Sequence, residues 1–185
     1  MKTVILTRHA KSSWKFPELK DYDRPLKKRG LADAPIMAGV LKDKQVNIDR
    51  IISSPAVRAM HTAKIFAQEL GIYEALIVSE PKLYMGSRSK LLKEIQQLDD
   101  SLNTIVLVAH NPGLTDLANF LLEEEIKNIP TSGIAGIGFE INSWKEVAKG
   151  KGKMLFFEYP KMYRKKDEEE AEESNTHEEF HEERS

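Results

Sequence analysis

The sequence Thr3-Val4-Ile5-Leu6-Thr7-Arg8-His9-Ala10 is an apolar run that ends in an arginine and a histidine. Two later apolar runs also end in polar residues: residues 51–52 continue into Ser53-Ser54-Pro55, and residues 104–109 continue into His110-Asn111-Pro112-Gly113. A helical pattern follows each of the three. Continuous runs of Val, Ile and Leu that alternate with helices are typical of parallel strands buried on both faces.

The same periodicity, followed along the chain, predicts an α/β fold. We expect strands at residues 3–7, 50–53, 75–79, 104–109, 137–141 and 154–158, and helices at residues 28–42, 56–70, 89–98 and 114–123. This alternation indicates a three-layer α/β/α domain with a mostly parallel, doubly wound sheet. A short polar loop joins the last two strands, so we expect an antiparallel pair at one edge. Pro35, inside the first helical pattern, predicts a kink or a restart of that helix.

Three residues of particular chemistry follow the three apolar runs. His9 and His110 come directly after the first and third runs, and Arg58 lies in the first turn of the helix after the second. In an open α/β sheet, ligands bind in the crevice outside the carboxyl ends of the strands. We therefore expect His9, Arg58 and His110 to converge, although about fifty residues separate each from the next.

The motifs around these residues resemble a known family. Arg8-His9-Ala10, Ser53-Ser54-Pro55-x-x-Arg58-Ala59-x-x-Thr62-Ala63 and Val108-Ala109-His110-Asn111-Pro112 are similar to the three signatures of the histidine phosphatase superfamily, which has the phosphoglycerate-mutase-like fold. The segments Arg8-His9-Ala10-Lys11-Ser12-Ser13-Trp14 and Asp23-Arg24-Pro25-Leu26-x-x-x-Gly30 resemble its SixA-type phosphohistidine phosphatase branch. The resemblance spans roughly residues 1–160, and the motifs are specific in combination.

These residues suit phosphoryl transfer without a metal or another cofactor. A neutral imidazole can attack phosphorus when one ring nitrogen is held by a hydrogen bond, and we assign this attack to His9. The resemblance implies the same residue as the phosphorylated intermediate. Guanidinium forks fit the equatorial oxygens of a phosphoryl group, so Arg8 and Arg58 are predicted to bind it. The resemblance implies that His110 is a further donor between His9 and the phosphoryl oxygens.

Each of the other residues near the motifs has two alternative roles. Arg24 either reaches the phosphate or forms a structural ion pair with Asp21 or Asp23. Ser12 and Ser13 either donate to a phosphate oxygen or stabilise the loop after His9. Larger members of the family place an acid after the second helix to protonate the leaving group. Glu80 is the residue in similar context here, and a surface position before the turn-forming Pro81 is its equal alternative. His61 is expected on a helix surface.

Length and composition restrict the class of protein. The 185 residues suit one α/β domain, and the absence of cysteine excludes disulfides and thiolate chemistry. No segment has the pattern of a signal peptide or a membrane span, so we expect a cytoplasmic monomer without membrane contacts. The glycines of residues 133–138 lack the dinucleotide spacing, and no Gly-Lys-Ser/Thr phosphate loop occurs.

The formal charge is distributed unevenly. Residues 167–185 hold ten acidic residues and one arginine, whereas the remaining 166 residues carry a net charge of +8. We therefore predict a domain over residues 1–163 and an acidic, low-complexity tail over residues 164–185, disordered or a frayed helix. His177 and His181 in this tail offer at most an adventitious metal site. No nucleic-acid motif accompanies the basic body, so nucleic acid is not expected as a partner.

Three functions remain open. The first is a phosphatase of phosphohistidine on a protein, which the short segment at residues 71–103 favours because relatives that act on small metabolites commonly carry a larger lid there. The second is a phosphatase or mutase for a small phosphorylated metabolite. The third is a noncatalytic phosphate-binding scaffold that makes contacts through its acidic tail.

Overall fold

The computed structural model describes residues 1–164. Within them it has six strands and four α-helices, which alternate as predicted. The strands are β1 (Lys2–Arg8), β2 (Arg50–Ser53), β3 (Ile77–Ser79), β4 (Thr104–Ala109), β5 (Ile134–Phe139) and β6 (Lys153–Glu158). The helices are α1 (Lys28–Asp43), α2 (Val57–Leu70), α3 (Arg88–Gln96) and α4 (Gly113–Leu122).

The strands form one sheet in the order β3-β2-β4-β1-β5-β6. The pairs β2–β3, β2–β4 and β1–β4 are parallel, whereas β5 is antiparallel to both β1 and β6. Five strands therefore run in one direction and β5 alone runs in the other. The predicted mostly parallel sheet with an antiparallel edge is confirmed, and the structure adds that the reversed strand pairs directly with the central β1.

Helices cover both faces of the sheet. Side chains from α1 and α2, such as Met37 and Phe66, pack with Ile5 of β1 in one core. On the opposite face, α3 and α4 pack with Val4 and Leu6 in the second core. Successive residues of β1 thus enter opposite cores, which explains why the apolar run is continuous. The predicted three-layer α/β/α architecture is confirmed.

Two boundary predictions fail for physical reasons. β5 begins three residues earlier than predicted, because Gly136 is a strand residue here: a Cβ at this position would lie 2.4 Å from ring carbons of Phe156, so the ring fills the space of a side chain. α1 continues through Pro35 as a single helix, so the predicted restart is wrong. Burial of Ala34 and Met37 on either side of Pro35 stabilises the helix there and offsets the missing backbone donor.

A short pairing after β1 fixes the loop that precedes α1. Ser12 and Leu26 form an isolated antiparallel bridge, and the Lys27 amide donates to the Lys11 carbonyl at 3.0 Å. A Cβ on Gly30 would lie 2.2 Å from the Lys11 carbonyl oxygen. Only glycine permits this approach of α1 to the backbone after His9. The intervening residues 14–24 therefore form a loop whose two ends are held together.

The last described residue, Arg164, remains attached to the domain. Its guanidinium pairs with the buried carboxylate of Asp33 in α1 at 2.6 Å. The predicted division between residues 1–163 and 164–185 stays a prediction, because residues 165–185, including His177 and His181, lie outside the described part of the chain. No helix in residues 1–164 has the length and apolar character that crossing a membrane requires.

Candidate active site

The carboxyl ends of three adjacent strands bring the predicted residues together. In the parallel register, Arg8 lies opposite Ala109 and Ser53 lies opposite Val108, so β1, β2 and β4 end at the same edge. His9 and His110 follow two of these ends, and Arg58 lies in the first turn of α2. All three side chains are at least nine-tenths buried. The predicted convergence is confirmed.

One hydrogen bond orients the ring of His9. Its Nδ1 lies 2.8 Å from the Ala10 carbonyl oxygen, which can only accept, so Nδ1 carries the proton and donates. Nε2 is then the nitrogen with the lone pair, and Nε of Arg58 donates to it across 3.4 Å. The Thr62 hydroxyl accepts from the Ala10 amide and donates to the Arg58 carbonyl, which ties His9 to α2. The ring therefore presents Nε2 as a nucleophile.

His110 faces the same space from β4. The two imidazole centroids are 5.0 Å apart, and Nδ1 of His110 accepts from Nη2 of Arg58 at 3.4 Å. On its other side, Nε2 of His110 lies 2.7 Å from the Ser54 hydroxyl oxygen, to which it donates. Arg58 thus contacts the facing nitrogens of both histidines. Ser54, at the end of β2, holds the His110 ring in this orientation.

Both histidines are neutral at pH 7. Burial lowers the pKa of His9 to about 3; the hydrogen bond to Ala10 opposes this shift, and the charges of Arg58 and Arg8 add to it. Burial and then Arg58 lower the pKa of His110 to about 4. In a neutral His9, Nε2 is unprotonated, so its lone pair is available for attack on an electrophile. A neutral His110 can gain a proton when an anion arrives.

Arg8 adds a half-buried guanidinium whose Nε is buried. Its Nη1 donates to the Ile129 carbonyl at 3.2 Å, whereas its buried Nε has no hydrogen-bond partner in residues 1–164. Burial lowers the pKa of Arg8, but an arginine stays charged at neutral pH. A buried charged donor without a partner is costly, and an anionic ligand would satisfy it.

Asp21, which the sequence analysis did not place in the site, contacts three of its residues. Its Oδ2 accepts from Nη2 of Arg58 at 3.0 Å and from the Tyr84 hydroxyl at 2.7 Å, and its Oδ1 accepts from Nε of Arg24 at 3.1 Å. Partial burial raises the pKa of Asp21, but the hydrogen bonds from Tyr84, Arg58 and Arg24 outweigh it and lower the pKa to about 2. Asp21 is therefore ionised.

Arg24 forms the ion pair with Asp21 that was one of its two predicted alternatives, and this pair places Arg24 beside Arg58. Its Nη1 also donates to the Ser12 hydroxyl at 2.8 Å, and its guanidinium lies 3.5 Å from the centre of the exposed Trp14 ring. The Ser13 hydroxyl accepts from the Lys15 amide, so in this structure Ser13 stabilises the loop.

Glu80 and His61 have peripheral positions. Glu80 caps the one-turn helix Pro81–Leu83 by accepting from the Lys82 amide at 3.0 Å, which matches its alternative as a turn residue. Tyr84, four residues later, is the member of this segment that reaches the site, where its ring meets that of His110 edge-on at 5.5 Å. His61 is exposed on α2, as expected.

No group of three or more His, Cys, Asp or Glu side chains in residues 1–164 has the arrangement of a metal site. The polar groups that converge are instead three arginines, a tyrosine hydroxyl and two neutral imidazoles. Arg24 and Arg58 share the carboxylate of Asp21, and Arg8 adds a third positive charge near the two histidines, which favours an anionic ligand with more than one charge.

Comparisons with known proteins agree with this geometry. The sequence model of the histidine phosphatase superfamily (branch 1) matches residues 4–83. An uncharacterised chloroplast protein of Arabidopsis thaliana is 35% identical over 151 residues, which cover 77% of this chain and 69% of that protein. An uncharacterised protein of Mycobacterium leprae is 30% identical over 83% of this chain and 99% of its own length. The chain belongs to the histidine phosphatase superfamily.

Solved structures place this superfamily member with the SixA-type branch. The protein histidine phosphatase SixA complexed with tungstate superposes with a TM-score of 0.75 at 23% identity, over 88% of this chain and 99% of that one. The proposed phosphohistidine phosphatase SixA of Agrobacterium tumefaciens gives 0.74 at 27% identity, over 86% and 98%. A mycobacterial glucosyl-3-phosphoglycerate phosphatase shares the fold, with a TM-score of 0.64 at 15% identity over 86% and 100%.

Proposed function

We propose that this histidine phosphatase hydrolyses phosphohistidine on a protein through a phospho-His9 intermediate. One observation carries the proposal: Ala10 fixes Nδ1 of a neutral His9, so the lone pair on Nε2 faces Arg58, and Arg24 lies beside Arg58 on the same carboxylate of Asp21. A nucleophile and preorganised cationic donors are what phosphoryl transfer needs from a protein.

The first step transfers the phosphoryl group to His9. Nε2 attacks phosphorus, the bond between phosphorus and the substrate nitrogen breaks, and that nitrogen leaves with the electron pair and takes a proton from water or from His110. Arg58 and Arg8 neutralise charge on the equatorial oxygens. A dianion next to His110 raises its pKa from about 4, so His110 gains a proton and becomes a donor from Nδ1.

The second step hydrolyses the intermediate. Water attacks phosphorus in line with His9, the bond between phosphorus and Nε2 breaks, and inorganic phosphate leaves with the oxygen of that water. Nε2 recovers its lone pair, and the two water protons are shared between phosphate and solvent. An imidazole is a better leaving group than an alkoxide, so neither step requires a strong acid, which was one of the two alternatives for Glu80.

Two features of the surface support a protein substrate over a small metabolite. A cavity of about 740 Å³ begins next to the site, where Met85 and Asn111 follow Tyr84 and His110, so a large leaving group has room. Four exposed apolar side chains lie in the loop that carries Asp21, namely Trp14, Phe16, Leu19 and Tyr22. Exposed apolar groups around a pocket are typical of surfaces that contact other proteins.

The test is a side-by-side assay of a phosphohistidine peptide, p-nitrophenyl phosphate and sugar phosphates. We expect the peptide to give the highest kcat/KM, with full activity in EDTA, and an acid-labile phosphoenzyme in the wild type. His9→Ala should remove activity and labelling, whereas His61→Ala, on the exposed face of α2, should retain both.

The alternatives predict different results in this assay. Preference for a sugar phosphate would favour a metabolite phosphatase or mutase. Phosphate binding without any turnover, altered by deletion of residues 167–185, would favour the noncatalytic scaffold.

A further inference from the structure

The two buried arginines of the site, Arg58 and Arg24, already bind an anion, the carboxylate of Asp21. Three donors from separate segments converge on its two oxygens: Nη2 of Arg58, Nε of Arg24 and the hydroxyl of Tyr84. Two of these groups, Arg58 and Arg24, are buried arginines of the kind that phosphoryl oxygens need. A substrate phosphoryl group cannot receive the same hydrogen bonds while the carboxylate holds them.

We propose that Asp21 is an intramolecular ligand of the phosphate pocket, which leaves Arg58 and Arg24 when the substrate phosphoryl binds and returns to them to expel inorganic phosphate. This inference rests on the proposed function, since it concerns the same pocket. It assigns a role in anion exchange to a residue that makes no contact with His9.

The geometry allows this exchange with a small motion. Nη1 of Arg58 donates to the backbone carbonyl of Asp21 at 2.6 Å, so the guanidinium stays anchored when the side chain turns away. The Asp21 side chain is 40% exposed, in contrast to 2% for Arg58, so the displaced carboxylate has water to enter. Rotation of one side chain therefore frees three donors without movement of the backbone.

Charge gives the exchange its direction. The carboxylate brings one negative charge to the guanidinium pair, and a phosphoryl dianion brings two and has three oxygens for the same donors. The dianion therefore displaces the carboxylate at high substrate concentration. After hydrolysis, the tethered carboxylate competes with phosphate at a constant local concentration, which weakens product binding.

The first experiment measures the affinity of tungstate, a tetrahedral dianion, for the wild-type protein and for Asp21→Asn by isothermal titration. Removing the competing charge should tighten tungstate binding about tenfold, the effect of one charge-assisted hydrogen bond. The inhibition constant of inorganic phosphate should fall by a similar factor. The control is Asp23→Asn, which removes the same charge from an exposed neighbour in the same loop and should change neither value by more than about twofold.

The opposite result has a clear meaning. If Asp21 only positions the two arginines, Asp21→Asn will weaken tungstate binding and lower kcat, and that outcome overturns the inference. Unchanged affinity, or no binding to either protein, overturns it as well. If Asp21→Asn binds tungstate more tightly but the wild-type protein hydrolyses none of the substrates, the inference is supported and the proposed function is overturned instead.

A structure of the wild-type protein with tungstate provides a test that does not depend on the folding of a variant. We expect tungstate oxygens within hydrogen-bond distance of Arg58 and Arg24, with the Asp21 carboxylate turned to solvent. Tungstate bound while Oδ2 of Asp21 remains on Nη2 of Arg58 would overturn the exchange.

Discussion

Replacing Arg58 by lysine separates the role of charge from the role of geometry. Lysine keeps the positive charge but has one compact ammonium group, whereas Arg58 uses three nitrogens: Nε contacts His9, Nη2 contacts His110 and the Asp21 carboxylate, and Nη1 contacts the Asp21 carbonyl. An ammonium group cannot occupy these three positions together. We therefore expect Arg58→Lys to behave almost like a loss of the residue.

The magnitude follows from the contacts. The two bonds from Arg58 to the histidines are 3.4 Å long, so they contribute little before substrate binds, and most of the loss should appear when charge develops on the phosphoryl oxygens. Removal of one preorganised donor costs about 2.7 to 4 kcal/mol in a transition state, or a factor of about 10² to 10³ in rate. The same factor should appear in kcat/KM for a phosphohistidine peptide and for p-nitrophenyl phosphate.

The control for this substitution is Arg50→Lys. Arg50 lies at the opposite end of β2, away from the edge where His9 and His110 meet, and the change keeps the charge in the same way. Its kcat/KM should remain within about twofold of the wild type, and both variants should be checked by thermal unfolding. The reasoning is wrong if Arg58→Lys retains a third or more of the activity, or if Arg50→Lys loses as much.

Three further predictions address stability and the remaining residues. The free energy of unfolding should fall as pH drops from 6.5 to 4.5, because His9 and His110 bind protons in the unfolded chain but, with pKa values of about 3 and 4, do not bind them in the folded protein. Each histidine should contribute roughly 2 kcal/mol to this fall. In urea titrations at several pH values, the free energy of unfolding of His9→Asn should therefore change less with pH than that of His61→Ala. Gly30→Ala should lower stability by about 1 to 3 kcal/mol in the same titrations, because its Cβ would lie 2.2 Å from the Lys11 carbonyl, while Gly39→Ala on the open side of α1 should be neutral or stabilising. Glu80→Gln should change kcat/KM for phosphohistidine less than about threefold, and a loss of two orders of magnitude would restore Glu80 as the leaving-group acid.

The sequence predicted the parts of this protein that depend on local pattern. Continuous apolar runs identified β1, β2 and β4. The rule that ligands bind at the carboxyl ends of parallel strands then predicted that His9, Arg58 and His110 lie in one site. The strand prediction succeeded because a strand that is buried on both faces has apolar side chains at successive positions, and such a run is visible in the sequence.

Features that depend on partners distant in sequence were not predictable in the same way. The early start of β5 depends on Phe156, whose ring occupies the space above Gly136, and local composition gives no sign of it. The sequence indicates Asp21 only as a candidate ion-pair partner of Arg24, three residues away. Its contacts with Arg58 and Tyr84 arise from the loop closure at Ser12 and Leu26, which no periodicity encodes.

The charges of the pocket connect its fold to its chemistry. Arg24 and Arg58 pair with the carboxylate of Asp21, and Arg8 and two imidazoles that burial keeps neutral lie nearby, so the site has about two uncompensated positive charges. Partly buried like charges destabilise the folded state unless a ligand compensates them. A phosphoryl dianion supplies that compensation, and the transition state of its transfer concentrates charge on the oxygens that these guanidinium groups face. The clustered positive charge that lowers the stability of the folded protein is therefore the feature that favours the reaction.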